Sequence, residues 1–311
     1  MSGRLITVFG GSGFLGRYVV QRLAARGDRV RAAVRRPNDA LFLKTAGDVG
    51  QVQIVSANLN DHRSIERAVK GADGVINLVG VLQSSGSQSF QKLQAEGAGY
   101  VADKAAEAGA KTMVHVSAIG ANPLSTSEYA VTKAEGERLV EECFSGATII
   151  RPSLIIGHED GFFNKFAKLA KFMPVLPVPA TKTNFQPVFV GDVADAIVKA
   201  VDGGDAVVGK VFELGGPEVM SFKAMLDMMM QHIGMNRPIF DLPMPIASMQ
   251  ASLMSLLPNP PMTNDQLELL KTDNVVSDGA LTFADLGIEP EAIEGILPAY
   301  TVQYRPKGQF T

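Results

Sequence analysis

A tyrosine and a lysine four residues apart are the side chains of this sequence best suited to chemistry. Tyr129 and Lys133 occur in the segment Tyr-Ala-Val-Thr-Lys, and this spacing places both on one face of a helix. A tyrosine hydroxyl, whose ordinary pKa is about 10, exchanges protons near neutral pH only when a group such as an adjacent ammonium lowers that pKa. The lysine can also bind ribose hydroxyl groups. With Ser117 upstream as a hydrogen-bond partner, the pair indicates acid–base catalysis or nucleotide binding.

A glycine-rich segment at residues 10–16, Gly-Gly-Ser-Gly-Phe-Leu-Gly, lies between a short apolar run and an amphipathic segment. Its first, middle and last glycines permit a tight turn, close approach of the backbone to a pyrophosphate, and close packing of helix on strand. The following helix would present free N–H groups and the positive end of its dipole to the phosphates. The pattern predicts dinucleotide binding, with contacts from Gly10, Ser12, Gly13, Phe14, Leu15 and Gly16.

Charged residues after the second predicted strand bear on the choice of cofactor. Proteins that bind NAD place a carboxylate there for the ribose 2′-hydroxyl, whereas this chain has Arg35 and Arg36. Two guanidinium groups suit a 2′-phosphate, so the sequence favours NADP(H), with NAD(H) as the alternative. The arginines could instead be solvated loop charges. Asn60 and Asp61, after the third predicted strand, are candidates to contact the adenine, although a loop carboxylate is often only solvated.

Apolar strands alternate with amphipathic helices through the first half of the chain, which predicts a parallel sheet covered on both faces. Strands are expected at residues 5–9, 30–34, 52–55, 74–81, 112–117 and 147–151, and helices at 14–26, 64–70, 90–108 and 127–142. The predicted fold class is therefore α/β, a Rossmann-type doubly wound parallel sheet with a smaller, mostly helical C-terminal lobe.

The second half is more irregular. Residues 153–184 contain several prolines and are expected to lack long regular elements. A strand at 188–190, a helix at 192–201 and an edge strand at 211–214 are predicted to return to the first domain. The NADP(H)-binding domain is thus predicted to comprise residues 1–155 and 185–216, and the smaller lobe residues 156–184 and 217–311.

The composition excludes several classes of protein. The 311 residues include 29 basic and 32 acidic side chains, which gives no electrostatic basis for nucleic-acid binding. One cysteine, Cys143, excludes a disulfide framework and a thiolate metal cluster, and four scattered histidines give no metal site. Hydrophobic residues make up 46%, so the chain is not disordered.

Membrane and targeting signals are absent from the sequence pattern. No run of roughly 18 apolar residues occurs, so no spanning helix is expected. The first predicted strand begins at Leu5, and cleavage of a targeting segment there would destroy it. The expectation is an intracellular protein of bacterial type.

These motifs resemble those of the extended and atypical short-chain dehydrogenases/reductases. The resemblance covers roughly the first 200 residues. It is carried by Gly-x-x-Gly-x-x-Gly at 10–16, Asp61, Asn-Leu-Val-Gly at 77–80, Tyr-x-x-x-Lys at 129–133, Arg-Pro-Ser at 151–153, and Gln-Pro-Val at 186–188 before Asp-Val-Ala at 192–194.

Most of the chain is also similar to the dinucleotide-binding accessory subunits of respiratory complex I, the NADH:ubiquinone oxidoreductase. The segments that suggest this are residues 151–164, 186–190 and 262–267. The resemblance implies a tightly held NADPH with a structural role, Tyr129 and Lys133 on the nicotinamide ribose, and further cofactor contacts from Val79, Gly80 and Pro152. It also implies core subunits of complex I as partners, at the junction of the peripheral and membrane arms, and a peripheral location on the cytoplasmic face of the bacterial inner membrane.

The residues after the fifth predicted strand depart from the pattern of active enzymes. The chain reads Val-Ser-Ala-Ile-Gly at 116–120, and Ile119 occupies the position aligned with the usual catalytic hydroxyl. Ser117 could still partner the substrate, or could only hydrogen-bond the loop. Loss of the hydroxyl weakens proton transfer more than cofactor binding. The catalytic set of Tyr129, Lys133 and Ser117 is therefore expected to be vestigial.

The segment 242–264 contains no charged residue and five prolines, so it cannot cross a membrane as a regular helix. An apolar stripe at helical spacing runs through Ile246, Met249, Leu253, Leu256 and Leu257. The stripe either packs into the core of the lobe or forms an adaptable surface that docks on a membrane-arm subunit or the membrane surface. Since the segment lacks basic residues, a protein partner is favoured over anionic lipid.

Three functions follow. The leading hypothesis is an NADP(H)-binding accessory subunit of complex I that supports assembly or stability near the quinone junction without turnover. The alternative is an NAD(P)-dependent reductase, epimerase or dehydratase that uses Tyr129 and Lys133 with Ser117. The third is a redox-sensing regulator, which would bind reduced and oxidised cofactor with different affinities.

Overall fold

A computed structural model describes residues 3–84, 86, 88–255 and 260–306. The strands are β1 Leu5–Phe9, β2 Arg29–Val34, β3 Val52–Ser56, β4 Gly74–Asn77, β5 Thr112–Val116, β6 Thr148–Pro152, β7 Ile155–Ile156, β8 Leu176–Pro179, β9 Asn184–Phe185, β10 Val188–Phe189, β11 Val211–Leu214, β12 Met220–Ser221 and β13 Ile239–Leu242. The α-helices are α1 Phe14–Ala25, α2 His62–Val69, α3 Gly97–Glu107, α4 Glu128–Cys143, α5 Phe163–Phe172, α6 Val190–Ala200, α7 Phe222–His232, α8 Met244–Met254, α9 Asn264–Leu269 and α10 Ile293–Thr301.

Seven strands form one sheet in the order β11-β6-β5-β4-β1-β2-β3, and every neighbouring pair is parallel. The strand order reverses between β1 and β4, where Phe9 lies opposite Asn77 at the carboxyl ends. Ligands of open α/β sheets bind in the crevice at such a reversal. The predicted fold class, a Rossmann-type doubly wound parallel sheet, is confirmed, and so is the edge position of the strand at 211–214.

Small residues bring the helices on one face of this sheet close together. A Cβ atom added to Gly136 of α4 would lie 2.0 Å from the carbonyl oxygen of Gln94, and one added to Gly99 of α3 would lie 2.9 Å from Leu139. The surrounding core includes Ile65, Val101 and Ile149, all fully buried. This close contact fixes the position of α4, the helix that carries Tyr129 and Lys133.

Two predicted elements of the first half have different bounds. The fourth strand was expected to reach Val81 but ends at Asn77, because the Asn77 side chain accepts a hydrogen bond from the Val79 amide and turns the chain. The predicted helix at 90–108 begins as a π-helical segment, Gln91–Glu96, before continuing as α3. Such π segments are rare and occur frequently at functional sites.

The chain divides by its contacts into two units. The first comprises Met1–Pro152, Gly191–Leu214 and Asp278–Glu289, and the second Ser153–Val190, Gly215–Ser277 and Pro290–Thr311. This division differs from the predicted one at residues 153–155, 185–190, 215–216 and 278–289. The strand predicted at 188–190 pairs with β7, not with the large sheet, while residues 278–289 return to the first unit through a hydrogen bond from the Glu213 amide to the Leu281 carbonyl.

The second unit has its own core. The expectation that residues 153–184 lack long regular elements is wrong, because α5 contributes buried side chains to that core. Asp160, which follows β7, has a structural role in this unit. The Tyr300 hydroxyl donates to Asp160 Oδ2 at 2.5 Å, and the amide of Phe162 donates to the same carboxylate. The buried core residues include Phe163, Ala167, Leu176, Phe222, Met225, Leu226, Met229 and Leu297.

Within the described ranges, no helix is long and apolar enough to cross a membrane.

Candidate nucleotide-binding site

The glycine-rich segment forms the turn between β1 and α1. Gly10 has a φ of +77°, a conformation that favours glycine, and its carbonyl accepts a hydrogen bond from the Gly13 amide at 2.9 Å. A Cβ atom on Gly16 would lie 2.2 Å from the same Gly10 carbonyl. The first turn of α1 therefore packs directly against the loop backbone, as the predicted role of these glycines requires.

The amino end of α1 is open for an anion. Gly13, the N-cap residue, is exposed, and among the described residues no side chain caps this helix or places a carboxylate in its first turn. Helices leave their first amide groups without intrahelical acceptors, and the positive end of the dipole lies there. Ser12 and Phe14 are half-buried beside these groups, and Leu15 is buried. The loop thus fits a pyrophosphate.

Arg35 and Arg36 follow β2 and are both exposed. Arg36 lies 3.8 Å from Asp39, and Arg35 makes no ion pair in the described part of the chain. A third arginine, Arg17, is one turn into α1, with its guanidinium 5.0 Å from the centre of the Phe42 ring. We did not predict Arg17, although its place directly after the last glycine of the loop was a usable signal.

Asn60 and Asp61 are exposed at the start of α2. Asp61 is the N-cap residue, but its carboxylate makes no capping hydrogen bond; its backbone carbonyl accepts from the amides of Ser64 and Ile65. The Asn60 amide donates to Asn58 Oδ1 at 3.1 Å. Both side chains therefore remain at the surface beyond the carboxyl end of β3.

Lys133 lies beneath the ends of β4 and β5. Its side chain is only 4% exposed, and its ammonium donates to the Val116 carbonyl at 3.1 Å. Burial lowers the pKa of Lys133 to about 8, against the opposing effect of Glu137 one turn along α4. A Cβ atom on Gly80 would lie 3.3 Å from the Lys133 ammonium, so the loop after β4 passes close over this lysine.

Tyr129 shares a face of α4 with Lys133, as the spacing predicts. The Lys133 ammonium is 5.9 Å from the centre of the Tyr129 ring. The half-buried tyrosine ring also packs edge-on against Phe90, with 5.9 Å between ring centres. Ser127 begins the helix by accepting a hydrogen bond from the Ala130 amide, which places Tyr129 in the first turn.

A buried polar pair that we did not predict lies next to Lys133. His115 on β5 and Asn77 on β4 are joined by Nδ1 and Nδ2 at 3.2 Å, and the two residues are 1% and 0% exposed. Burial, followed by the Lys133 charge, lowers the pKa of His115 to about 3. The histidine is therefore neutral. Its Nε2 atom is buried and has no hydrogen-bond partner in the described part of the chain.

Ser117 is the residue that directly follows β5. Its amide donates to the Ile150 carbonyl at 2.7 Å, while its buried hydroxyl has no hydrogen-bond partner among the described residues. Within the described residues this hydroxyl does not bond the loop, and its pairing with a substrate stays a prediction. Ile119 is also buried, and its amide donates to the carbonyl of Pro152, the last residue of β6.

An ion-pair cluster holds α4 on the sheet. Arg151 of β6 binds Glu137 through both carboxylate oxygens, at 2.9 and 2.6 Å, and lies 3.4 Å from Glu213 of β11. Hydrogen bonds to Glu137 raise the pKa of Arg151. Since Glu137 is one turn from Lys133, this two-pronged contact fixes the helix at the level of the lysine.

Across the described ranges, no group of three or more histidine, cysteine, aspartate or glutamate side chains is arranged to hold a metal ion.

Comparison with known proteins agrees with this geometry. Residues 10–165 match the NAD(P)H-binding family. The structure of Escherichia coli NADPH-dependent quinone oxidoreductase QOR2 complexed with NADPH superposes with a TM-score of 0.73 over 94% of this chain and 99% of that one, at 19% identity. This structural likeness shows the shared fold.

Relatives are similar along the whole chain, among them two mitochondrial subunits. Mitochondrial NADH dehydrogenase [ubiquinone] 1 alpha subcomplex subunit 9 of Arabidopsis thaliana is 37% identical over 99% of this chain and 80% of its own length. The mitochondrial NADH-ubiquinone oxidoreductase 40 kDa subunit of Neurospora crassa is 33% identical over 100% of this chain and 82% of its own length. The chain therefore belongs to the NAD(P)H-binding family and to the family of alpha subcomplex subunit 9 of NADH dehydrogenase [ubiquinone].

Proposed function

We propose that this chain is an NADP(H)-binding accessory subunit of NADH:ubiquinone oxidoreductase, and that the bound dinucleotide supports assembly or stability near the quinone junction. The observation that carries the proposal is similarity to subunits of that complex through both units of the chain. The sheet and glycine loop alone are shared with free reductases and would not distinguish the two classes.

The first unit offers contacts along a whole dinucleotide. The loop at Gly10, Gly13 and Gly16 fits the pyrophosphate because α1 is uncapped and because Gly16, which has no room for a side chain, lets the helix pack directly on the loop. Arg35 and Arg36, both exposed after β2, supply the positive charge that a 2′-phosphate needs. This exposed arginine group favours NADP(H) over NAD(H).

At the nicotinamide end, Tyr129 and Lys133 are placed to bind the ribose hydroxyl groups. The loop at Val79 and Gly80 passes over the lysine, and Pro152 ends the neighbouring strand β6. Asn60 and Asp61, exposed beyond β3, remain candidates for the adenine edge. Bound dinucleotide would hold these loops in one arrangement.

Absence of turnover is the second part of the proposal. Ile119 is a buried hydrocarbon at the position where active relatives of this fold present a hydroxyl, and the hydroxyl of Ser117 is buried without a partner in the described residues. A cofactor that is held but not used still has an effect, because a ligand at about 100 times its dissociation constant stabilises the folded state by roughly 2.7 kcal/mol.

A surface for the partner lies on α8. Ile246, Met249 and Leu253 are 44%, 68% and 73% exposed, whereas Ala247 and Ala251 on the opposite face are buried. For these three residues the interpretation of the apolar stripe as core is wrong; Leu256 and Leu257 lie outside the described residues. This supports docking on a core subunit of complex I, with the chain peripheral on the cytoplasmic face of the membrane.

The proposal is tested by purifying the tagged chain under native conditions and identifying its companions by mass spectrometry. We expect core subunits of complex I and bound NADP(H). A chain that purifies alone, or with NAD(H) in place of NADP(H), would contradict the corresponding part of the proposal.

A reductase or epimerase remains the second candidate, favoured by the proximity of Tyr129 to a lysine whose pKa is lowered to about 8. It requires oxidation of NADPH by a small carbonyl substrate, abolished in Tyr129→Phe. The redox-sensor hypothesis is tested separately by titration with reduced and oxidised cofactor, and equal affinities would rule it out.

A further inference from the structure

A basic groove runs along α5 in the second unit. The groove has a volume of about 360 Å³ and is open to solvent. Lys165, Lys168, Leu169 and Phe172 lie along one side of the helix and line it, while Phe163, Ala167 and Ala170 face the core. Phe172 at its end is 86% exposed. The groove therefore combines positive charge with an exposed aromatic ring.

The lysines of α5 have no acidic partners. Within the described ranges, Lys165, Lys168 and Lys171 form no ion pair with a carboxylate. Asp160 also lines the groove, but it is buried, and its carboxylate accepts hydrogen bonds from the Tyr300 hydroxyl and from backbone amides. Positive charge near the carboxyl end of a helix interacts favourably with the helix dipole. This accounts for the positions of Lys168 and Lys171.

The helix dipole does not account for the position of Lys165. This lysine lies in the first turn of α5, where the dipole disfavours a cation. Burial also lowers its pKa, so the side chain is held at this place against a desolvation cost. Donation from the Lys165 ammonium to the Pro261 carbonyl offsets part of this cost, and an anion in the groove would offset more of it.

At Lys165 the groove also lies beside Pro261, a residue of the charge-free segment 242–264. The Lys165 ammonium donates to the carbonyl of Pro261, and Arg237 donates to the carbonyl of Ala170 near the other end of α5. In sequence, the lack of basic residues in 242–264 favoured a protein over anionic lipid. Basic side chains from α5 supply the positive charge that residues 242–264 lack. The absence of basic residues from that segment therefore no longer argues against anionic lipid.

We propose that the α5 groove binds the phosphodiester headgroup of an anionic phospholipid at a bilayer surface. Lys165 and Lys168 pair with the phosphate, and Phe172 lies among the glycerol and upper acyl groups, where aromatic side chains are favoured. A juxtaposition of basic groups and exposed apolar side chains is the pattern of surface membrane binding. This contact goes beyond the proposed function, because it assigns a lipid ligand to a part of the chain distant in sequence from the nucleotide loop.

The test is flotation of the full-length protein with vesicles of phosphatidylcholine alone and vesicles of phosphatidylcholine with phosphatidylglycerol. We expect binding to the second kind only, weakened by salt. Each lysine near an anionic surface changes the partition coefficient about fivefold, so Lys165→Ala combined with Lys168→Ala should reduce it roughly 30-fold. Phe172→Ser should reduce it as well.

The matched control is Lys223→Ala combined with Lys271→Ala. These two lysines lie in the same unit, are 53% exposed and pair with Asp227 and Glu268, and the double variant has the same net charge as the groove variant. We expect the control to retain binding. NADPH affinity and the thermal midpoint of each variant show that it is folded.

Three results would overturn the lipid assignment: no binding to either vesicle, equal loss in groove and control variants, or groove variants that bind normally. Loss of the groove variant from purified complex I with no vesicle binding by the wild type would instead indicate a protein partner on this face. Because recovery of the chain with complex I is measured separately, failure of the lipid proposal leaves the accessory-subunit proposal standing.

Discussion

Asn77 donates a hydrogen bond to His115, and the direction of that bond determines where the histidine carries its proton. Asn77 Oδ1 accepts from the Val79 amide at 3.1 Å, so its Nδ2 group must be the donor to His115 Nδ1 at 3.2 Å. With a pKa lowered to about 3, the ring is neutral and its proton is on Nε2. The pair links the end of β4 to β5 at the level of Lys133, and so orients the loop that contains Val79 and Gly80.

Asn77→Asp should reverse the direction of the hydrogen bond between residue 77 and His115. The carboxylate still accepts from Val79 but cannot donate to His115, so we expect the histidine proton to move to Nδ1 and the His115 pKa to rise from about 3. Long-range ¹⁵N–¹H correlation spectra distinguish the two tautomers directly. A wild-type spectrum with the proton on Nδ1, or an unchanged spectrum in the variant, would contradict the assignment.

Gly16→Ala should weaken cofactor binding and leave the protein folded, although less stable. The added Cβ atom would lie 2.2 Å from the Gly10 carbonyl, which forces the loop away from α1. We expect a loss of about 1–3 kcal/mol in stability and roughly tenfold or more in NADPH affinity, measured by calorimetry. Gly295→Ala on α10 is the control, since a Cβ there meets nothing within 4 Å. Equal effects of both changes on NADPH affinity would argue against the loop as the phosphate site.

The combined variant Arg35→Ala and Arg36→Ala should change the choice of cofactor. Loss of charge-assisted bonds to the 2′-phosphate is expected to cost about 1.5–3 kcal/mol, or roughly 10- to 100-fold in NADPH affinity, with little effect on NADH. Arg138→Ala, which removes an exposed arginine paired with Glu135 and Glu142, is the control. If affinity for both dinucleotides falls equally, these arginines do not read the phosphate.

Lys133 should make the free energy of unfolding of the apo-protein depend on pH in a characteristic way. Its pKa is about 8 in the folded chain and 10.5 in the unfolded chain, so between these values the unfolded state binds more protons and stability from this group rises with pH. Relative to Lys133→Met, the wild type should gain roughly 3 kcal/mol from pH 8 to pH 10.5. Denaturant unfolding at several pH values measures this difference. Parallel curves for the two proteins would mean that Lys133 is not desolvated.

The sequence predicts the first unit well because its signals are local. Gly10 adopts the positive φ that the tight turn requires, and the spacing of Tyr129 and Lys133 sets their common helix face. The apolar runs likewise predict the strands of the parallel sheet.

Long-range contacts account for what could not be predicted. The pairing of His115 with Asn77 depends on strand register. The return of residues 278–289 depends on contacts distant in sequence, among them the bridge between Phe212 and Leu281 and the hydrogen bond from Lys199 to the Leu286 carbonyl. The π segment contacts Gly136 closely through Gln94, a packing that no local pattern encodes. Helix α5 was missed because nearby prolines masked the periodicity of its apolar residues.

The central proposal is tested most directly by isolating complex I from the source organism through a tag on another subunit. We expect this chain in equal amount to the core subunits, together with NADP(H) that is lost when the chain carries Gly16→Ala. Complex I that is fully assembled and active without this chain, and without bound NADP(H), would contradict the account.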